Sequence, residues 1–279
     1  MILLQALNNG YCILKSNNIP TYKIDTELLL SESLNISVEE LILNLERIIS
    51  FNDYKKFLKK IERRKIREPL AYILKRKEFW KNDFYVNKNV LIPRPETEHL
   101  IEETLKLIPK SKSYKLLEIG IGSGCLILSI LKDRQNCSAI GIDCCKKAVK
   151  TANINANLHQ IKNRIKILKT DVDNFNTGKY DLIVSNPPYI DKHQLKYLGV
   201  SEFEPLQALN GGINGIEILK KVVVKASQLL KVNGKLIIEI GNNQKYKMKD
   251  VLRKNNFFIN KTVQDLSKMD RCIISTKLH

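Results

Sequence analysis

Asn186-Pro187-Pro188-Tyr189 closes the short apolar run at residues 182–184, and each part of that tetrapeptide has a chemical use at the end of a strand. Two prolines remove two backbone donors and forbid further ladder pairing, so the chain leaves a sheet here with carbonyl oxygens free. A tip that presents the Asn186 amide, free carbonyls and the Tyr189 ring can grip a planar group bearing an NH2. The competing reading is an ordinary turn, because Asn-Pro marks turns. At average residue usage, however, the tetrapeptide arises by chance in a chain of this length with odds on the order of a thousandth.

A second constellation lies upstream. The run at 116–119 enters Gly120-Ile121-Gly122-Ser123-Gly124 and then an apolar helical segment over about 125–131. Alternate glycines allow a tight turn and close approach of backbone to a ligand at a helix start. A dinucleotide fingerprint would need its third glycine at position 125, which is Cys. The G-x-G-x-G spacing behind Glu118 fits S-adenosylmethionine better, since that molecule has no pyrophosphate to seat and carries an amino group that a carboxylate can hold. Asp143 closes the next apolar run at about the distance where an acid meets a ribose diol. Asp171 with Val172 ends the third, in position to frame an adenine ring.

These residues work together only if the chain brings their strand ends to one edge. Strands predicted at 115–119, 139–142, 165–168, 182–184, 235–240 and 272–276 alternate with helical segments, the pattern of an α/β, doubly wound parallel sheet whose ligands lie along the carboxyl edge. Residues 1–68 show helical periods and almost no strand signal. Ser37 with Glu40 predicts a capping box opening a helix through Leu45, and Asn52 a cap for a helix running to about Arg67. Nothing there has catalytic spacing, so the expected role is to dock a macromolecule or brace the next domain.

Between the two regions, the runs Phe79-Trp80, 84–86 and 90–92 predict a β-hairpin linker. It ends in IPRPETE at 92–98, where Pro93 and Pro95 stiffen the start of a helix and Glu96 and Glu98 suit its first turn. Those acids, with Arg94, could instead line a pocket beside the glycine loop. The organisation expected is a helical domain over 1–68, a hairpin linker over 69–95 and a catalytic domain over 96–279.

Composition bounds the partners. A chain of 279 residues with 43% hydrophobic residues has room for two globular domains. No apolar run nears a membrane span and residues 1–7 lack the basic flank of a signal peptide, so a cytoplasmic protein is expected. The six cysteines form no C-x-x-C and meet no paired histidines; reduced thiols and no metal site are the expectation. The formal charge of +18 invites a nucleic-acid reading. Lys far outnumbers Arg and the chain is rich in Ile and Asn, so much of the charge reads as solvated surface. The densest cluster, 55–67 with Lys75, Arg76 and Lys77, is a possible face for an acidic partner or RNA.

Taken together, REPLAYIL from Arg67, KEFW from Lys77, VLIPRPETE from Val90, LEIGIGSG from Leu117, DLIVSNPPYI from Asp181, FEPLQALNGG from Phe203 and LIIEIGNNQ from Leu236 make a chain that resembles the N5-glutamine methyltransferases of the HemK/PrmC family. The resemblance covers nearly the whole length. It implies a seven-stranded, Rossmann-like S-adenosylmethionine-dependent methyltransferase domain with an antiparallel last strand, behind a small helical bundle over 1–68 that serves substrate recognition. It also implies transfer of a methyl group to the Gln of the Gly-Gly-Gln motif in class 1 peptide chain release factors, with no membrane and no obligatory nucleic acid as partner. On this chain the cofactor would lie against Gly120, Ile121, Gly122, Ser123, Gly124, Asp143, Val172 and Asn186. The target amide would lie against Asn186, Pro187, Pro188 and Tyr189, with Asn186, Pro187 and Tyr189 in the catalytic role. There are departures: Lys75 and Lys268 stand where the family usually has Gly, Cys144-Cys145 replaces Ile/Leu-Ser, and Val172 stands where some members place an aromatic.

Three other readings share these features. One is methylation of a ribosomal-protein glutamine, another is adenine-N6 methylation with a flipped base, and the third is a binding module that kept the fold and lost turnover. No separate target-recognition domain is visible for the second, and the glycines, Asp143 and Asn186 argue against the third.

Overall fold

The computed structural model describes residues 1–197 and 202–279. The chain divides into two units, Met1–Arg76 and Lys77–His279.

The first unit is helical: α1 (Leu3–Ser16), α2 (Tyr22–Leu34), α3 (Val38–Leu43), α4 (Phe51–Lys65) and α5 (Leu70–Leu74). Leu3, Ala6, Leu7 and Leu14 recur on one face of α1 and bury completely or nearly so, with Leu29, Leu30, Leu41, Phe57 and Ile61. That spacing is the amphipathic pattern that drives helices to pack. Ser37 caps α3 by accepting from the Glu40 amide at 3.1 Å, although the helix ends at Leu43 rather than Leu45. The cap of α4 is Ser50, which accepts from the Asp53 amide at 3.1 Å, not Asn52; the hydroxyl two residues earlier is the one with its acceptor in reach of a free amide. Part of the basic cluster is already paired. Arg64 meets the buried Asp25 at 2.7 Å, Arg63 meets Glu68 at 2.5 Å and Lys56 meets Asp53 at 2.9 Å.

A hairpin, β1 (Arg76–Phe79) and β2 (Asn82–Tyr85), starts at the last residue of the first unit and leads into the second. Residues 90–92, expected as a third strand run, have no ladder partner among the described residues. After a 3-10 turn at Pro95–Thr97 come α6 (Glu98–Leu107), β3 (Lys115–Ile119), α7 (Cys125–Asp133), β4 (Ser138–Asp143), α8 (Lys146–Leu158), β5 (Ile165–Lys169) and β6 (Tyr180–Ser185). The chain continues through α9 (Glu217–Leu229), β7 (Leu230–Glu239), α10 (Lys245–Lys254), β8 (Phe257–Gln264) and β9 (Asp270–Lys277).

The seven strands β3 to β9 form one sheet in the order β5-β4-β3-β6-β7-β9-β8. Pairing is parallel from β5 to β7, whereas β9 runs antiparallel to both β7 and β8. β3, β4 and β5 step outward one way, and β6 returns beside β3 to start the other half, so the order reverses between β3 and β6. That reversal opens a crevice at the carboxyl ends of the strands. Two apolar layers cover the faces: Leu116, Ile127, Leu128, Ile130, Leu182 and Val184 on one, and Leu117, Ile183, Val222, Val223, Leu236 and Ile238 on the other. β3 and β6 contribute to both sets because successive side chains alternate across a sheet, while α7 covers one face and α9 the other. β8 is the one strand absent from the sequence expectation. It lies at the sheet edge with only Phe257 buried, and its run FFINKTVQ mixes polar and apolar residues on both faces. No helix among the described residues is long and apolar enough to cross a membrane.

Candidate active site

The β3–β6 register builds the site. Leu117 pairs with Ile183 and Glu118 with Val184, so two residues further along each strand Gly120 and Asn186 come level at the carboxyl edge. The Ser185 hydroxyl donates to the Ile119 carbonyl at 2.7 Å and ties the two strand ends together. On the other side of β6, Ser185 pairs with Ile238, which brings Asn186 level with Glu239.

Past β3 the chain turns through three glycines in the left-handed region, Gly120 at φ 80°, Gly122 at 54° and Gly124 at 82°. Side chains other than glycine are strained there. A Cβ on Gly120 or Gly122 would meet nothing within 4 Å, since both open onto a cavity. Gly124 differs: a Cβ there would lie 3.0 Å from Leu128 Cδ1, and the residue turns the chain into α7 without lining the cavity. The buried Asn155 holds the loop from behind, donating to the Ser123 carbonyl at 2.8 Å.

That cavity, about 330 Å³, is walled by Glu118 and the loop residues Gly120, Ile121, Gly122 and Ser123, by Asp143 and by Asp171 with Val172. Asn186, Pro187 and Pro188 complete the wall beside Arg94 and Thr97. Its volume suits a small organic molecule. Three carboxylates face it from three successive strand ends. Asp143 accepts from the Gly122 amide at 2.9 Å and the Cys145 amide at 2.8 Å; burial still pushes its carboxyl up, and those two amides pull it back. Glu118 is 2% exposed and accepts from the Ile127 amide at 3.2 Å, with burial holding its carboxyl well above the usual range. Asp171 caps the short turn after β5 by accepting from the Asp173 amide at 2.9 Å.

At the Asn-Pro-Pro-Tyr tip, the Asn186 side-chain nitrogen donates to the Thr97 hydroxyl at 2.9 Å. Thr97 donates to Glu239 Oε2 at 2.7 Å, and the Tyr189 hydroxyl donates to Glu239 Oε1 at 3.1 Å. Among the described residues, neither the Asn186 side-chain oxygen nor the Pro187 carbonyl has a hydrogen-bond partner. Tyr189 does not line the main cavity; it borders a separate polar groove with Asp191, Asn214 and Gln244. Gln244 donates to the Tyr189 carbonyl at 2.8 Å and fixes that backbone. Burial, then the neighbouring Glu239, drive the Tyr189 phenol upward.

Within IPRPETE, Arg94 lines the cavity while Glu96 and Glu98 do not. Glu98 accepts instead from the Trp80 amide at 2.7 Å. Arg94 pairs with Glu204, a 4% exposed carboxylate that also accepts from the Ile92 amide at 3.0 Å. This anchors the 203–212 segment, whose Pro205, Gln207, Ala208 and Asn210 form another wall of the cavity. The sequence reading assigned no role to Thr97, Glu204 or Glu239. Glu239 carried one signal: an acid inside the apolar run LIIEI is a buried charge that must find donors.

Comparison with known proteins agrees with this architecture. Residues 5–74 match the PrmC N-terminal domain and residues 98–204 the methyltransferase small domain. The release factor glutamine methyltransferase of Caulobacter vibrioides is 34% identical over 95% of this chain and 92% of its own. That of Clostridium acetobutylicum is 33% identical over 99% of each chain. Among solved structures, the ribosomal protein L11 methylase of Lactobacillus delbrueckii subsp. bulgaricus superposes with a TM-score of 0.52 at 20% identity, covering 72% of this chain and 91% of that one. A methyltransferase from Pyrococcus furiosus gives 0.53 at 18%, covering 71% and 89%. At those identities the two structures share the fold alone. These two relatives match along nearly the whole of both chains, and this protein belongs to the release factor glutamine methyltransferase family.

Proposed function

We propose that the chain transfers the methyl group of S-adenosylmethionine to the side-chain amide nitrogen of the glutamine in the Gly-Gly-Gln motif of a class 1 peptide chain release factor. The observation that carries this reading is the pair of unpartnered acceptors, the Asn186 side-chain oxygen and the Pro187 carbonyl, on the wall of the cavity that the glycine loop also lines.

The residues present suit the cofactor. Gly120 and Gly122 leave a cradle that any Cβ would enter, and the carboxylates of Glu118, Asp143 and Asp171 can meet an amino group, a ribose diol and an adenine edge. When bound, S-adenosylmethionine supplies a methyl group on a positively charged sulfur. The protein's task is the nucleophile. A carboxamide nitrogen is poor because its lone pair is delocalised into the carbonyl. Asn186 and Pro187, each accepting one N–H, hold the amide so that its lone pair faces the sulfonium methyl, and positioning supplies most of the rate. The same two oxygens stabilise the positive charge that grows on nitrogen, acting as preorganised dipoles rather than as a strong base. The N–H then yields its proton to water. Tyr189 stands outside the cavity wall, and its hydroxyl donates to Glu239. A release-factor substrate makes the enzyme cytoplasmic.

The test is to incubate the protein with methyl-labelled S-adenosylmethionine and, in separate reactions, a bacterial class 1 release factor, total ribosomal protein and DNA. The label is then located by peptide mass spectrometry or nucleoside analysis. Label on the Gly-Gly-Gln glutamine is expected. Label on ribosomal protein or adenine alone would overturn the assignment.

A further inference from the structure

We propose that Thr97 and Glu239 are positioning residues that set which end of the Asn186 side-chain amide faces the group to be methylated. The proposal rests on the role given to Asn186 above.

An amide has a donor end and an acceptor end of almost the same shape, and only the acceptor end can hold a substrate NH2. Something must fix the choice. A hydroxyl has a single hydrogen, and an ionised carboxylate has none to give. Glu239 therefore takes the hydrogens of Thr97, at 2.7 Å, and of Tyr189, at 3.1 Å. With its hydrogen committed, the Thr97 oxygen can only accept. The edge of Asn186 that meets it at 2.9 Å must be the NH2, and the Asn186 oxygen is turned away from Thr97.

The chain of bonds has one direction, and the carboxylate sets it. Replace that anion with a donor and Thr97 could pass its hydrogen to the Asn186 oxygen. The amide would then rotate and present NH2 to NH2. Burial makes the constraint effective, because Thr97 is 3% and Glu239 1% exposed and little water is at hand to supply alternative partners. Glu239 is not among the residues that wall the cavity, so it acts on the reaction through Thr97 and Asn186. The three residues come from separate parts of the chain, and the β6–β7 register, Ser185 opposite Ile238, is what brings Asn186 beside Glu239.

The experiment measures kcat on a release factor at pH 8 and the Kd for S-adenosylmethionine in the full-length protein and in Thr97→Val, Thr97→Ser, Glu239→Gln and Asn186→Ala. Thr97→Val, which keeps the shape and removes the hydroxyl, is expected to lower kcat at least tenfold with the Kd within about threefold; retained binding shows that the fold is intact. Thr97→Ser restores the hydroxyl and is expected within about threefold of the parent kcat. Adding Glu239→Gln to Thr97→Val should change kcat by less than about twofold, since both act through one path. Normal turnover in Thr97→Val with loss in Asn186→Ala would overturn the relay and leave the role of Asn186 standing. Normal turnover in Asn186→Ala would overturn both.

Discussion

Asn186 donates its side-chain N–H to the Thr97 hydroxyl at 2.9 Å, a contact made across 89 residues of chain. It joins the tip of a central strand to the start of α6 and leaves the amide oxygen for the cavity. The reaction proposed for this protein depends on that oxygen.

Asn186→Ala is therefore expected to lower kcat by about 100- to 1000-fold, the usual effect of removing one preorganised group that stabilises transition-state charge. Affinity for S-adenosylmethionine should stay within a few-fold, because the glycine loop and the acids on β3 and β4 are untouched. Single-turnover methyl transfer with equilibrium dialysis of the cofactor measures both.

Gly122 and Gly124 separate binding from stability. Both have positive φ, so alanine at either costs about 1–2 kcal/mol of backbone strain. At Gly122 the new methyl enters open space on the cavity wall, whereas at Gly124 it meets Leu128 at 3.0 Å and Ala152 at 3.4 Å. Gly122→Ala should weaken cofactor binding about tenfold or more. Gly124→Ala should lower the unfolding free energy by roughly 2–3 kcal/mol and leave the Kd within about threefold, by urea denaturation and calorimetry.

Burial pushes the Glu239 carboxyl up to about 7, and the hydrogen bonds from Thr97 and Tyr189 restrain the rise. The titratable groups around it are Glu96 ahead of α6, Tyr189 after β6, Arg271 and Cys272 on β9 and Cys125 on α7; Arg271 favours the anion and Glu96 opposes it. Because the folded value lies above the ordinary one near 4.5, the protonated carboxyl favours the folded state. Its contribution is whole below about pH 4.5 and is lost as pH rises through about 7. Relative to Glu239→Gln, the parent protein should lose on the order of 3 kcal/mol between pH 5 and pH 8, one pKa unit being about 1.4 kcal/mol. Over the same range kcat should rise in the parent and stay flat in Glu239→Gln, which pH-series denaturation and initial rates would show.

Lys75 and Lys268 both have left-handed backbone, φ 55° and 60°. Lys75 ends α5 and Lys268 lies in the turn between β8 and β9. Each non-glycine residue there costs about 1–2 kcal/mol, partly offset by the greater freedom glycine has in the unfolded chain. Lys75→Gly and Lys268→Gly should each stabilise by about 0.5–1 kcal/mol and should add, as they lie in different units. A rise in the urea midpoint at unchanged slope checks this.

Local patterns in the sequence were enough to reveal the parallel sheet, the glycine turn, the acids at successive strand ends and the Asn-Pro-Pro-Tyr tip. Buried parallel strands are continuous apolar runs, and ligand-binding loops follow them directly. β8 escaped because an edge strand needs no such run. Ser50 and Asn52 are both good caps for α4 by composition, and only geometry shows that the Ser50 oxygen is the one that meets a free amide. What the tertiary structure alone decided is how Asn186 is held. Thr97 and Glu239 carry no motif of their own, and their effect on that amide comes from strand register and from burial, which deprives a hydroxyl and a carboxylate of every partner except each other and their neighbours.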